Sequence, residues 1–295
     1  MVQLPRGGAS VIAASASSIH FYVVIHSTAV IHPDAQLGAD VQVGPYVVIE
    51  GAARIGDRCV IQAHAVIGAH VEMGPDNLIG YGALIGGDPQ DFSFRPSISS
   101  SVKIGTRNRI REYVTIHRGT SEGSATAVGD DCFIMGGVHL AHNVSIGNHV
   151  VIANGALLGG YVQVEERVFI GGGSVFHQHI RIGRMSICQG ASAFSKDVPP
   201  YVTAAERNGV AGLNVVGLRR AGLTAAQRAE IKAAFDLLYR EGYNVSQAVA
   251  VARDRIWSSE VDSFWDFVAE ANKRGLSDFL GSRGSKLTFD HGEEE

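Results

Sequence analysis

The sequence predicts an all-β solenoid of short parallel strands followed by a C-terminal α-helical domain. Three observations predict it. An aliphatic residue or Met returns every six positions from Ile25 to Ile85, and after two interruptions the same beat runs on to Cys188. A small or β-branched residue usually falls four positions after the beat. Beyond Asp197-Val198-Pro199-Pro200-Tyr201 the apolar residues change to helical spacing. A helix repeats at 3.6 residues and a flat strand at 2, so neither accounts for a strict six. Three short strands per coil do, each giving one aliphatic residue to the interior and bending at Gly or Asn.

Residues 1–23 stand outside the repeat and mix small residues with the apolar patch Ile19-His20-Phe21-Tyr22-Val23-Val24. A frayed leader, or a strand capping the first coil, is expected there. The solenoid occupies 24–198. Its first beats are Ile25, Ile31, Leu37, Val43, Ile49, Ile55, Ile61, Ile67, Met73, Ile79 and Ile85, and Gly38, Gly44, Gly56, Gly68, Gly74 and Gly80 follow the beat as bend residues. Two loops interrupt it, from Gly86 to Pro96 and from Gly119 to Ser124. Loops ejected from a regular solenoid tend to carry function. Residues 199–280 form the helical domain. Thr224 is placed to cap a helix carrying Ile231, Phe235, Leu238 and Tyr239, with Gly242 as its stop. Further helices are expected over about 246–256 and 259–273, with Trp257, Phe264, Trp265 and Phe267 packing between them. Residues 281–295 read as a disordered acidic tail.

At 295 residues and 45% hydrophobic, the chain can build its core without cross-links. A net charge of −4 argues against nucleic acid as the main partner. Cys59, Cys132 and Cys188 are odd in number, far apart and on inward beats, so they read as core residues of a reducing compartment with no disulfide. No apolar run approaches the ~20 residues that span a bilayer, and the first residues lack a secretory pattern. A cytoplasmic protein without stable membrane insertion is expected, and nothing in the sequence calls for a cofactor.

Laying coil on coil places the candidate site. The second loop adds six residues, so the coil below Leu140 brings its matching side from Ile116. One column is then His117, Ala141, Gly159 and His177; the next is Arg118, His142, Gly160 and Gln178; the third holds Asn143 and Tyr161. Every polar member is expected to face outward along one edge, with small residues leaving space between imidazoles. His142 is the candidate general base, since a neutral imidazole takes a proton near pH 7; a plain surface histidine is the alternative. The Gly160 N–H is a candidate oxyanion donor, or else belongs to an ordinary bend. His139, His177, Gln178 and Asp91 can bind hydroxyl, amide and phosphate groups, or simply decorate the rim. Zinc on His117, His139 and His142 is a rival use, but the register spreads the three rings along an edge rather than converging them.

The hexad resembles that of the hexapeptide-repeat acyltransferases, which implies a left-handed parallel β-helix. Within that class the chain is similar to the bacterial acyl-carrier-protein-dependent UDP-N-acetylglucosamine O-acyltransferases of lipid A synthesis. The likeness is carried by Gln90-Asp91, by Arg107 to Glu112 leading to Thr115-Ile116-His117-Arg118-Gly119-Thr120, by His139-Leu140-Ala141-His142, by His177-Gln178, by Asp197 to Tyr201 and by Gly212 to Arg220. It spans about Ile25 to Tyr243. The resemblance implies a homotrimer with sites between subunits, an acyl-carrier-protein thioester as donor and the 3-hydroxyl of UDP-N-acetylglucosamine as acceptor. It implies His142 as base with Asn143 beside it, Gly160 at the oxyanion, and substrate contacts from His117, His139 and His177. Gln90 and Asp91 would sit near the sugar, Gln178, Asn214 and Arg220 on the nucleotide sugar, and Gly190 where acyl length is measured, admitting a longer chain. Asn143 stands where the family often has aspartate, Ser93 where it has lysine, Tyr161 where it has histidine; Val216 and Ala221 replace charged nucleotide contacts. A 3-amino acceptor, the related N-acyltransferase and a non-enzymatic scaffold are the alternatives. The N-acyltransferase carries a uridine-binding domain ahead of its solenoid, whereas the hexads here begin by Ile25.

Overall fold

The computed structural model describes residues 10–11, 24–271 and 274–283. Each hexad supplies a two-residue strand whose second member points inward, as in Val60–Ile61 and Val66–Ile67, where the first residue is half-buried and the second buried. Three strands close one coil, and successive coils stack in parallel register, eighteen residues apart where no loop intervenes: Val43 pairs with Ile61, and Leu140 with Leu158. The result is a three-sided helix of coils. Its faces are sheets of thirteen, eight and nine strands. Inside runs one apolar column in which Ile61, Ile67, Ile79, Ile85, Ile110, Ile116 and Ile134 are at most 1% exposed. Cys59, Cys132 and Cys188 are free thiols buried in the same column.

Backbone hydrogen bonds tie each coil to the next at the residue after the beat, as in Gly44 N–H to Ile61 O (2.8 Å) and Gly80 N–H to Ile110 O (2.7 Å). His26, Gln62 and Arg111 make the same bond, so it does not itself require glycine; what glycine adds is clearance, which corrects the reading of these residues as bends. A Cβ on Gly44 would lie 2.9 Å from Ala63 N, and one on Gly80 2.4 Å from Arg111 C. These glycines admit the backbone of the coil above. The left-handed bend falls two residues later and is mostly not glycine: Tyr46, Arg58, His64, Asp76, Asn143 and Tyr161 all have φ between 55° and 64°. Such a conformation costs a non-glycine residue roughly 1–2 kcal/mol. Stacking against the same bend one coil away offsets it, as in the parallel rings of Tyr46 and His64, 5.2 Å apart.

The first loop, 88–100, leaves the nine-stranded face and folds back over it. Arg118 holds it there. Its guanidinium donates to Asp88 Oδ1 (2.9 Å), Ile98 O (2.6 Å) and Pro96 O (3.0 Å), and stacks 4.8 Å from the Phe94 ring. Arg118 is therefore buried, as is His117 (4% and 5% exposed): both point out of the coil as expected, but Arg118 meets the loop and His117 a covered cleft instead of open solvent. The folded-back loop supplies the cover that the column arithmetic omitted.

The thirteen-stranded face does not stop at 198. It continues through Val202–Ala205, turns antiparallel into Gly209–Leu213 and accepts Asp278–Phe279 as its last strand. Four helices follow Leu213: α1 Val215–Arg220, α2 Ala225–Tyr239, α3 Val245–Arg253 and α4 Ser259–Ala269. Thr224 caps α2 in a reciprocal box with Gln227, as its sequence position predicts, and Asn244 does the same for α3. Ile231, Leu238, Phe264 and Trp265 form a second core. Arg181 joins solenoid to helices, bonded to the fully buried Asp197 (2.9 Å) and to Phe267 O of α4 (2.8 Å). At the other end Ser10–Val11 pairs antiparallel with Val24–Ile25; the rest of the N-terminal extension, and the tail from 284, lie outside the described residues.

Candidate active site

Leu140 and Val144 are fully buried, which turns the chain between them outward over a corner. The sequence there is Ala141-His142-Asn143. Thr115 pairs with His139, Leu140 with Leu158, and Leu158 with Phe176, so the columns lie where the hexad arithmetic put them. His117, Ala141, Gly159 and His177 rise one above another, and His142 lies below Gly160.

His142 is half-buried, and its Nδ1 lies 3.1 Å from Asn143 Oδ1. Its Cε1–Nε2 edge faces Gly160, so closely that a Cβ on that glycine would fall 2.4 Å from Cε1 and 2.6 Å from Nε2. Among the described residues the Gly160 N–H has no acceptor, although its carbonyl receives His179 N–H at 2.9 Å. A free, buried donor beside an imidazole edge is what a developing oxyanion requires. The second loop returns Thr120 to this corner, with its N–H 3.1 Å and its hydroxyl 3.0 Å from Asn143 Oδ1. Tyr161 stands over His142 edge to face and stacks on His179.

His117 and His139 form the floor. Their rings meet edge to face at 4.8 Å, and His139 Nδ1 bonds Thr115 Oγ1 at 2.8 Å. Burial, reinforced by the two neighbouring imidazoles, pulls the pKa of His117 down to about 4. Burial also lowers that of His139, with His142 adding to the effect. Both rings are held toward the neutral form. Among the described residues the buried Nδ1 of His117 has no partner, an uncommon condition for a buried ring nitrogen and one a bound polar group relieves.

These residues line one cleft with Gln90, Gly159, Phe176, His177 and Gln178. Its wall is shared with a longer apolar groove of about 470 Å³ running up the nine-stranded face. Leu157, Val175, Ala193 and Phe194 line that groove, and Ser195 and Arg207 lie at its far end. Not every predicted residue comes to the cleft. Asp91 is exposed beside it, its carboxyl held below the usual range by the Ser93 hydroxyl and N–H, with a smaller pull from His142. Asn214 caps α1: its Oδ1 accepts Gly217 N–H (2.9 Å) and its Nδ2 donates to Met185 O (2.8 Å). Arg220 is exposed in the last turn of α1. Gly190 lies on an exposed edge over Gly172, not in the groove of its own chain. Among the described residues no group of three or more His, Cys, Asp or Glu is arranged to hold a metal ion.

Residues 52–87 and 125–160 match the bacterial transferase hexapeptide model of six repeats, and 197–277 match the model described as UDP N-acetylglucosamine O-acyltransferase, domain 2. The acyl-(acyl-carrier-protein) UDP-N-acetylglucosamine O-acyltransferase of Ralstonia nicotianae is 44% identical over 214 residues, 68% of this chain and 78% of that protein. This chain belongs to the UDP-N-acetylglucosamine O-acyltransferase family. Solved structures agree. The Francisella novicida UDP-N-acetylglucosamine acyltransferase superposes with a TM-score of 0.84 at 31% identity, covering 92% of this chain and all of that one. The Arabidopsis enzyme of the same name gives 0.80 at 30% identity, covering 86% and 100%. The solenoid is thus the left-handed parallel β-helix that the hexad implied.

In this O-acyltransferase family member, sequence reasoning missed three things: Thr120 as a partner of Asn143, Arg118 as the anchor of the first loop, and the groove. None had a clear signal: the outward strand positions beside the site, Leu157, Val175 and Ala193, are apolar, but so are Val30, Val48, Val66 and Leu84 on the same face, so the pattern marks the face and not the groove.

Proposed function

We propose that the protein moves a (3-hydroxy)acyl group from acyl carrier protein to the 3-hydroxyl of UDP-N-acetylglucosamine, the first step of lipid A synthesis, with His142 as general base. The observation that carries this reading is the continuity of the cleft with the groove: an imidazole edge and a free N–H sit where an apolar channel ends. The sugar hydroxyl attacks the thioester carbonyl carbon while Nε2 of His142 takes its proton. Oxygen then bears the negative charge, and the Gly160 N–H is placed to bond it. Collapse breaks the C–S bond, and the proton on His142 goes to the departing thiolate. Asn143 accepts the Nδ1 hydrogen and so leaves Nε2 free to act. His117, His139, His177, Gln178, Gln90 and Asp91 surround the acceptor sugar. The acyl chain lies against Leu157 and Val175. Asn214, Arg220 and Gly190 act in the nucleotide and acyl subsites only if a neighbouring subunit brings its cleft to them, which fits a cytoplasmic homotrimer.

Incubation with UDP-N-acetylglucosamine and a series of 3-hydroxyacyl-carrier proteins tests the reaction. His142→Ala is expected to lower turnover about 10²-fold or more; retention of activity refutes the base. Light scattering should give three times the 31.3 kDa chain mass, and a monomeric active enzyme refutes the shared site.

A further inference from the structure

A carboxylate beside a catalytic histidine accepts the Nδ1 hydrogen with either oxygen. An asparagine does so with one end only. Turned over, it presents NH₂ to the ring, and the tautomer that leaves Nε2 as acceptor loses its partner. Something must choose the end. The oxygen of Asn143 lies 3.1 Å from the backbone N–H of Thr120, a group that can only donate, so the atom at that position is oxygen on chemical grounds alone. His142 Nδ1, 3.1 Å from the same oxygen, must then carry the hydrogen. The Thr120 hydroxyl is also 3.0 Å from that oxygen and 2.9 Å from the Tyr161 hydroxyl. The amide oxygen has no hydrogen to give. The threonine hydrogen therefore points to Asn143, and the tyrosine donates to the threonine oxygen.

We propose that Thr120 is a positioning residue for the reaction: its N–H and hydroxyl hold the Asn143 amide oxygen toward His142, and Tyr161 holds the hydroxyl. The two family departures in this corner, Asn143 and Tyr161, are thereby linked through one side chain. The backbone is suited to it. Asn143 sits at φ 60°, a conformation asparagine tolerates, and its N–H is fixed by the fully buried Thr126 hydroxyl at 2.7 Å. This inference rests on His142 being the base.

Thr120→Val keeps the N–H and removes the hydroxyl. Loss of one neutral hydrogen bond predicts about a five- to tenfold drop in kcat with KM for the nucleotide sugar unchanged, whereas Thr120→Ser stays within about twofold of the parent. Asn143→Asp removes the need to choose an end. In that background Thr120→Val should cost less than about twofold, and the acid limb of kcat/KM should lie at higher pH, because a carboxylate stabilises the imidazolium. Thr120→Ala is the parallel variant if valine does not fold. Equal losses with and without Asn143→Asp, or no loss in either background, overturn the proposal. An active His142→Ala variant overturns the base instead, so the two failures are told apart.

Discussion

Adding one methyl group at Gly160 separates folding from catalysis. The φ of Gly160 is not left-handed, so alanine can adopt its backbone conformation and is favoured by up to about 1 kcal/mol through the unfolded chain. The three atoms nearest the new Cβ all belong to the His142 ring, at 2.4 Å for Cε1, 2.6 Å for Nε2 and 3.0 Å for Nδ1. An ordinary contact needs about 1 Å more, and a ring at the end of a side chain can retreat that far. Its Nδ1 bond to Asn143 and its reach to the acceptor cannot both survive. Displacement of a reacting group by about 1 Å costs about 10²-fold. Gly160→Ala is therefore expected to keep its Tm within about 4 °C of the parent while acyl transfer, followed by release of free carrier thiol, falls at least 10²-fold. Turnover within threefold of the parent would refute the placement of His142. The neighbouring glycine provides the contrast. A Cβ on Gly159 meets backbone, Gln178 N at 2.8 Å and Phe176 O at 2.9 Å, so Gly159→Ala must push adjacent coils apart and should cost about 1–3 kcal/mol in a urea titration.

Other consequences follow from single side chains. The His117 ring stays neutral in the folded protein down to about pH 4, whereas in the unfolded chain it takes up a proton near 6.5. Its contribution, about 3 kcal/mol, is present above 6.5 and is lost as pH falls toward 4; His117→Gln should flatten the dependence of urea midpoint on pH over that window, and an unchanged slope would contradict the assignment. Asp197→Ala removes the fully buried carboxylate from the Arg181 guanidinium, which keeps only the exposed Glu270 as counter-charge, and should cost up to about 3 kcal/mol in denaturant unfolding. A loss under 1 kcal/mol would mean that the pair does not join solenoid to helices. Val175→Trp fills the groove, so kcat/KM should fall about tenfold for long acyl donors and little for short ones; equal effects on both would place the acyl chain elsewhere.

The register was readable because the interior admits one residue per strand. Ile116, Leu140, Leu158 and Phe176 could be stacked from spacing alone, and His142 under Gly160 came with them. What spacing does not carry is the reason for a residue. Glycine after the beat looked like a bend and is a clearance for the coil above. Arg118 looked like an edge residue because nothing in its column foretold that a distant loop would fold back over it. Helix α1 went unpredicted: it has six residues, opens on two valines, and depends on Asn214, whose amide is taken up in capping it. The thirteen-stranded face runs past 198 because its final strands, antiparallel and from the far end of the chain, follow no hexad.

The coils from Val24 to Ile61 touch the cleft nowhere, and each rests only on its neighbours. Length at that end is therefore modular. Excising a whole turn of eighteen residues would shorten the prism by one layer, ~4.8 Å, and leave the distance from Gly160 to His142 untouched. Excising seventeen would turn the isoleucines of the affected layers toward water. The chain can thus vary its reach in fixed increments while its chemistry stays put.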